Sequence, residues 1–321
     1  ETAPGPLYGG KQPAVSDSST DASTAEHLAR LDLAGGAYVE DVDFGFAFNV
    51  VTNVAGGDAS SPQGSLRRFI GNANTVDGPN AMRFVPVLPT TTTDGTHNWW
   101  TIPVTVALAA IATADTTIDG TAYDSSDGVT ALDTNLLGPE LELNGSGTAG
   151  TVDGLLITGG SATIRDLAIN RFGRAGILIT SDGNAVTGTH IGTGATGVGS
   201  LGNGTEGIAL DSGAASNMIG GTAAADANLI AYNGSDGVDL KAAAGSGNSI
   251  LGNAMLGNIG TGIDLAPNGV TANDGGDGDP GPNDLLNFPV ITSATESGGI
   301  VTVAGTFDVP AGNYRFEFYT N

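Results

Sequence analysis

The chain has 321 residues, 52 of them glycine and none cysteine, and its 34 acidic against 10 basic residues give a formal net charge of −24. That charge excludes a nucleic-acid partner, because phosphate contacts need Lys and Arg. The lack of cysteine excludes disulfides, thiolate chemistry and cysteine-based zinc sites.

Taken from the N-terminus, "HLARLDLAGGAYVEDVDFGFAFNVV" (27–51) alternates apolar and polar residues and predicts strands of a partial β-sandwich within 1–51. "QGSLRRFIGNANT" (63–75) predicts a short helix, with Ser65 as N-cap and Leu66, Phe69 and Ile70 on one face. "NAMRFVPV" and "TIPVTV" are strand-like. In "HNWW" one of Trp99 and Trp100 is expected to pack over the capped end of the core while the other faces outward.

Between 140 and 290 no stretch carries a 3.6-residue apolar period. Short β-branched runs such as "GLLIT", "GILIT" and "NLIAY" alternate instead, so strands must stack on strands. One phrase recurs as "EGIAL" (206–210), "DGVDL" (236–240) and "TGIDL" (261–265), with a looser copy, "AGILI", from Ala175. With Gly154, the glycines of these copies stand at 154, 176, 207, 237 and 262, in steps of 22, 31, 30 and 25 residues. Steps of this size with variable turns predict an all-β solenoid, a right-handed parallel β-helix over about 52–290, whose equivalent residues stack ~4.8 Å apart. Ile177, Ile208, Val238 and Ile263 then form one inward column. Asn203, Asn233 and Asn258 form one stacked series and Asn184, Asn217 and Asn248 another. Their amides are expected to bond along the axis, with asparagine itself in a left-handed corner.

"GSLRRFIGNANTVDGPNAMRFV", followed by "TIPVTVALAAIATADTTIDGTAY", resembles the start of secreted bacterial β-helix surface proteins with the CSLREA-type motif. In that family the helix caps the first rung and the "TIDG" strand follows it. Gly64 stands here at the motif's cysteine position, and Arg68-Phe69 replace its Glu-Ala. The likeness continues through "NMIGGT" (217–222) and "NDGGDGDPGPNDLLNFPVI" (273–291). Residues 27–51 resemble the last strands of B-type, transthyretin-like repeats of serine-aspartate-repeat adhesins, and 291–321 reads as the start of an immunoglobulin-like sandwich. These resemblances imply a secreted or cell-surface protein with a structural or adhesive role, built on a rigid rod. The two ends read either as fragments of further domains of a larger modular protein or as segments for head-to-tail self-assembly into filaments, and cell-surface polysaccharide is a further candidate partner. No run of 18 apolar residues predicts a membrane span.

The densest cluster of candidate ligands is Asp274, Asp277, Asp279 and Asp284 in a glycine-proline loop. Oxygen donors at this spacing suit calcium, and the other reading is a solvated acidic turn. A second candidate is a stripe of Asp211, Asp239 and Asp264 with Lys241 and Arg174 nearby, although Asp211 is one residue out of phase. Two carboxylates on successive rungs would suit a carbohydrate-active lyase or hydrolase, the alternative to a structural role, with a calcium-dependent carbohydrate-binding module as the third option. His27, His97 and His190 are far apart in sequence. The sequons at Asn144, Asn203 and Asn233 read either as turns or as glycosylation sites.

Overall fold

The computed structural model describes residues 49–318 apart from 58–61, 77, 127 and 149. The sandwich-like segment expected within 1–51 therefore lies outside the described residues except for 49–51, and His27 lies outside them too.

Short elements come first: Val50–Val51 (β1), the helix Leu66–Ala73 (α1), Asn80–Ala81 (β2) and Arg83–Phe84 (β3). Thr92–Thr93 (β4), Asn98–Pro103 (β5) and Thr116–Asp119 (β6) follow. The strands then arrive in threes. Leu141–Asn144 (β7), Leu155–Ile157 (β8) and Thr163–Arg165 (β9) precede Leu167–Asn170 (β10), Ile177–Ile179 (β11) and Ala185–Thr187 (β12). His190–Ile191 (β13), Ile208–Leu210 (β14) and Met218–Gly220 (β15) lead to Leu229–Ala231 (β16), Val238–Leu240 (β17) and Ser249–Leu251 (β18). Ala254–Leu256 (β19) and Ile263–Leu265 (β20) end the series, and Val290–Ser297 (β21) and Ile300–Thr306 (β22) form a separate antiparallel hairpin.

From β7 to β20 each strand pairs in parallel with the strands three places away, so the chain visits three sheets in rotation. Their orders are β4-β5-β7-β10-β13-β16-β19, β8-β11-β14-β17-β20 and β2-β6-β9-β12-β15-β18. In the five-stranded sheet the register joins Leu155, Ile177, Ile208, Val238 and Ile263. These steps are the 22, 31, 30 and 25 residues of the glycine spacing. Inward side chains of all three sheets join one apolar cluster that includes α1.

α1 forms because Ser65 Oγ accepts the Arg68 N–H at 3.3 Å, while Leu66, Phe69, Ile70 and Ala73 bury one face beside Val51 and Phe84. At the other end the expected column is only partly inward. Ile177, Ile208 and Val238 are fully buried, but Ile263 is 46% exposed, because β20 is the last strand of its sheet and no further strand among the described residues pairs with it.

The repeated glycine answers a steric demand. A Cβ at Gly176, Gly207 or Gly237 would stand 2.8, 2.7 or 2.5 Å from the carbonyl oxygen of the next glycine in the column. Both expected asparagine ladders form. Asn184 Nδ2 donates to Asn217 Oδ1 at 2.8 Å and Asn217 to Asn248 at 2.9 Å, while Asn203 donates to Asn233 and Asn233 to Asn258, each at 3.0 Å. A third ladder joins Asn228 to Asn253 at 2.8 Å. The left-handed residue is the one before the asparagine, not the asparagine itself: Ser216 and Tyr232 have φ of 56° and 60°, and Gly247 and Gly257 have φ of 78° and 63°. That twist turns the next side chain inward, where its amide is buried.

Asn233→Leu removes the acceptor for both the backbone N–H and the Nδ2 of Asn203, and should cost about 1–3 kcal/mol. Ile208→Asp places an unpaired charge in the core and should cost several kcal/mol. Chemical denaturation reads both; melting close to the parent temperature would show that these columns do not carry the fold.

Candidate functional site

The outward positions of the five-stranded sheet run Leu156, Leu178, Ala209, Asp239, Asp264 in register. The last two place carboxylates on neighbouring strands, and Asp236, just ahead of Gly237, brings a third. One oxygen from each of Asp236, Asp239 and Asp264 lies within 4.8 Å of the others, and all three residues are buried. This is the group among the described residues that could hold a metal ion.

Each of these carboxylates already has a donor. Asp236 Oδ1 accepts the Thr261 N–H at 2.6 Å and its hydroxyl at 3.0 Å, and Asp264 Oδ2 accepts the Gly269 N–H at 3.1 Å. Lys241 Nζ lies 2.5 Å from both Asp239 Oδ2 and Glu206 Oε1. Burial pushes the Asp239 carboxyl above its usual range; Lys241 opposes this, and the charges of Glu206 and Asp264 add to it. Burial acts the same way on Glu206, but hydrogen bonds from Lys241 and Thr205 outweigh it and hold that carboxyl low. One ammonium thus serves two of these acidic groups, Asp239 and Glu206, while Asp236 and Asp264 rely on Thr261 and the Gly269 N–H.

Asp211 shares its register position with Lys241, one place beyond Asp239, and so stands outside the group. Arg174 pairs with Asp153 at 3.6 Å. Glu206 and Asp236 were not singled out from the sequence, although both belong to the repeated phrase, each just before its glycine. Burial of Asp239 and Asp264 to 7% and 3% exposure leaves no open face for a polysaccharide between them.

In the acidic loop Asp274, Asp277 and Asp284 each take a separate partner. Asp274 accepts from Gly278 N–H, Asp277 from Asn287 N–H at 2.6 Å and Asp284 from the Ser246 hydroxyl at 2.8 Å. Asp279 Oδ1 is buried without a hydrogen-bond partner. His97 pairs with Asp94, and His190, on β13, is pushed down by burial. Both tryptophans are buried, contrary to the expectation that one faces outward. Trp100 meets Phe84 edge-on, while Trp99, on the outer face, donates to Glu142 at 2.6 Å beneath Ala195. Asn203 and Asn233 are buried with their amides in the ladder, which removes them as glycosylation sites, and Asn144 is half-buried. Among the described residues no helix is long and apolar enough to cross a membrane.

Because the folded Asp239 carboxyl is raised, its ionised form opposes folding at pH 7, and stability is regained as pH falls through the raised value. Asp239→Asn should therefore hold or raise the melting temperature at pH 7, with the difference closing on acidification. Lys241→Met leaves the acidic groups uncompensated and should cost about 1–2 kcal/mol, a figure reduced for its partial exposure. Thermal melts of both variants from pH 4 to 7 check the signs.

No protein-family model matches the chain, and neither the curated proteins nor the solved structures include one significantly similar to it.

Proposed function

We propose that the chain is the rod of a secreted or cell-surface protein with a structural or adhesive role, its three sheets winding as a right-handed parallel β-helix. The observation that carries this reading is the uniformity of the stack. The same strand positions hold aliphatics, glycines and laddered asparagines from turn to turn, joined into one apolar interior. Such an interior resists bending, which suits spacing and load-bearing.

On this reading the C-terminal hairpin is an assembly segment. Ile291, Ile300 and Val301 are 61%, 69% and 65% exposed, and an antiparallel pair alone is marginal in water. Residues 27–51 of a second copy, alternately apolar, cover this hairpin by strand addition and extend the rod head to tail. On the same reading calcium draws together the aspartates of the loop 273–287, which do not form a three-ligand group without it, and stiffens the junction. Support for this comes from the orphaned Asp279 Oδ1 and from the absence of any Lys or Arg in the sequence between Lys241 and Arg315.

Negative-stain electron microscopy and sedimentation velocity should show end-to-end polymers that are lost on deleting 312–321. A chain that stays monomeric at high concentration overturns the assembly. Calorimetric titration with calcium chloride should give binding that Asp279→Asn weakens; no heat and no shift in melting would remove calcium from the loop.

A further inference from the structure

The connections from the six-stranded to the seven-stranded sheet vary most in length. β9 passes to β10 through Asp166 alone and β12 to β13 through Gly188 and Thr189, whereas β6 to β7 uses 120–140 and β15 to β16 uses 221–228. The two long connections rise as walls. The first is folded by the antiparallel bridge of Tyr123 with Ala131 and by the Leu132 N–H bonding back to Ala122 O at 2.8 Å. The second holds a 3-10 turn at Ala224–Asp226. Between them the two short connections leave a floor, and a cleft of about 620 Å³ results. It crosses four successive turns of chain, at Thr121, Asp166, Gly188 and Ala225, which is about 14 Å along the stack.

The floor is open because residue 188 is glycine: a Cβ there would stand 2.6 Å from Asp166 Oδ1 and 3.2 Å from Ala225 O. The polar groups lining the cleft are mainly acceptors. They include the carboxylates of Asp166 and Asp133 and the side chain of Asn135, which is 2% exposed. The Asn135 amide nitrogen is committed to Pro139 O at 2.9 Å and Ala195 O at 3.0 Å, while its Oδ1 meets no donor. Glu140 is occupied by Thr134 and the Asn135 N–H. Leu132, Pro139 and Ala227 add apolar surface.

We infer that this corner cleft, with Asp166 beside Gly188 on its floor and the unpaired Asn135 carbonyl in its wall, binds a neutral oligosaccharide. An acceptor-rich lining selects a donor-rich ligand and repels an anionic one. A cationic ligand is disfavoured because Arg165, paired with Asp119, already sets a guanidinium next to Asp166. Burial, with the Asp119 charge, pushes the Asp166 carboxyl above its usual range, as suits a group that meets hydroxyls rather than a fixed cation. Sugar hydroxyls donate to the half-buried Asp166 and the exposed Asp133, and the ring faces lie on the leucine, proline and alanine surfaces. The inference deepens the adhesive reading and rests on it for the ligand's setting.

The test is an array of neutral, uronic-acid and amino-sugar oligosaccharides probed with the full chain, followed by calorimetry with the neutral glycan bound best. Asp166→Asn keeps a residue tolerated at φ of 55° and should weaken binding about tenfold. Ala225→Trp fills the cleft from an exposed wall position and should abolish binding, with melting unchanged in Ala225→Trp and held or raised in Asp166→Asn, whose raised carboxyl is removed. No neutral glycan bound, binding confined to charged glycans, or affinity indifferent to both substitutions would overturn the inference. Sedimentation of the same samples separates the two readings. A chain that polymerises but binds no neutral glycan loses the cleft alone, and a monomer that binds through it loses the filament alone.

Discussion

Everything in the stack depends on one condition: a residue in a strand meets its own equivalent ~4.8 Å above and below. A residue type is favourable there only if it tolerates itself at that distance. Aliphatic side chains do, by packing. Asparagine does because one amide carries both donor and acceptor, so each Oδ1 takes the Nδ2 and the backbone N–H of its neighbour, as Asn233 does for Asn203. Glycine does by removing the Cβ that would strike the next carbonyl. Carboxylates do not, and where Asp239 stacks on Asp264 with Asp236 alongside, Lys241 is drawn in to share its charge.

The condition binds strands and leaves connections free. Passages between sheets run from the single residue Asp166 to the long excursion of 120–140 without disturbing the register on either side. The cleft beside Asp166 arises at a corner, where long and short passages stand next to one another. A net charge of −24 opposes adhesion between the sides of two such stacks.

Expectations drawn from the sequence went astray where a neighbouring turn, not the local segment, sets the outcome. Asparagine was expected to take the left-handed corner, but the preceding residue takes it, even where that is Tyr232, because a buried ladder needs the amide turned inward. Trp99 was expected outside or at the cap and is covered by a loop nearly a hundred residues further on, around Ala195. Ile263 repeats the inward pattern of Ile208 yet stays half open, since inwardness requires a further layer.

The sequence by itself determined the all-β character, the strand spacing and the asparagine and glycine columns. Each follows from alternation and self-compatibility, which are properties of short segments and of their copies. The helix Leu66–Ala73 was legible for the same reason, through Ser65 and a local apolar face. The partners of Asp236 and Glu206, and the cleft beside Asp166, were decided only by the tertiary structure. Which outward side chains share a patch depends on how many residues each turn spends between strands, and a single chain read in order carries no record of what stands across the corner.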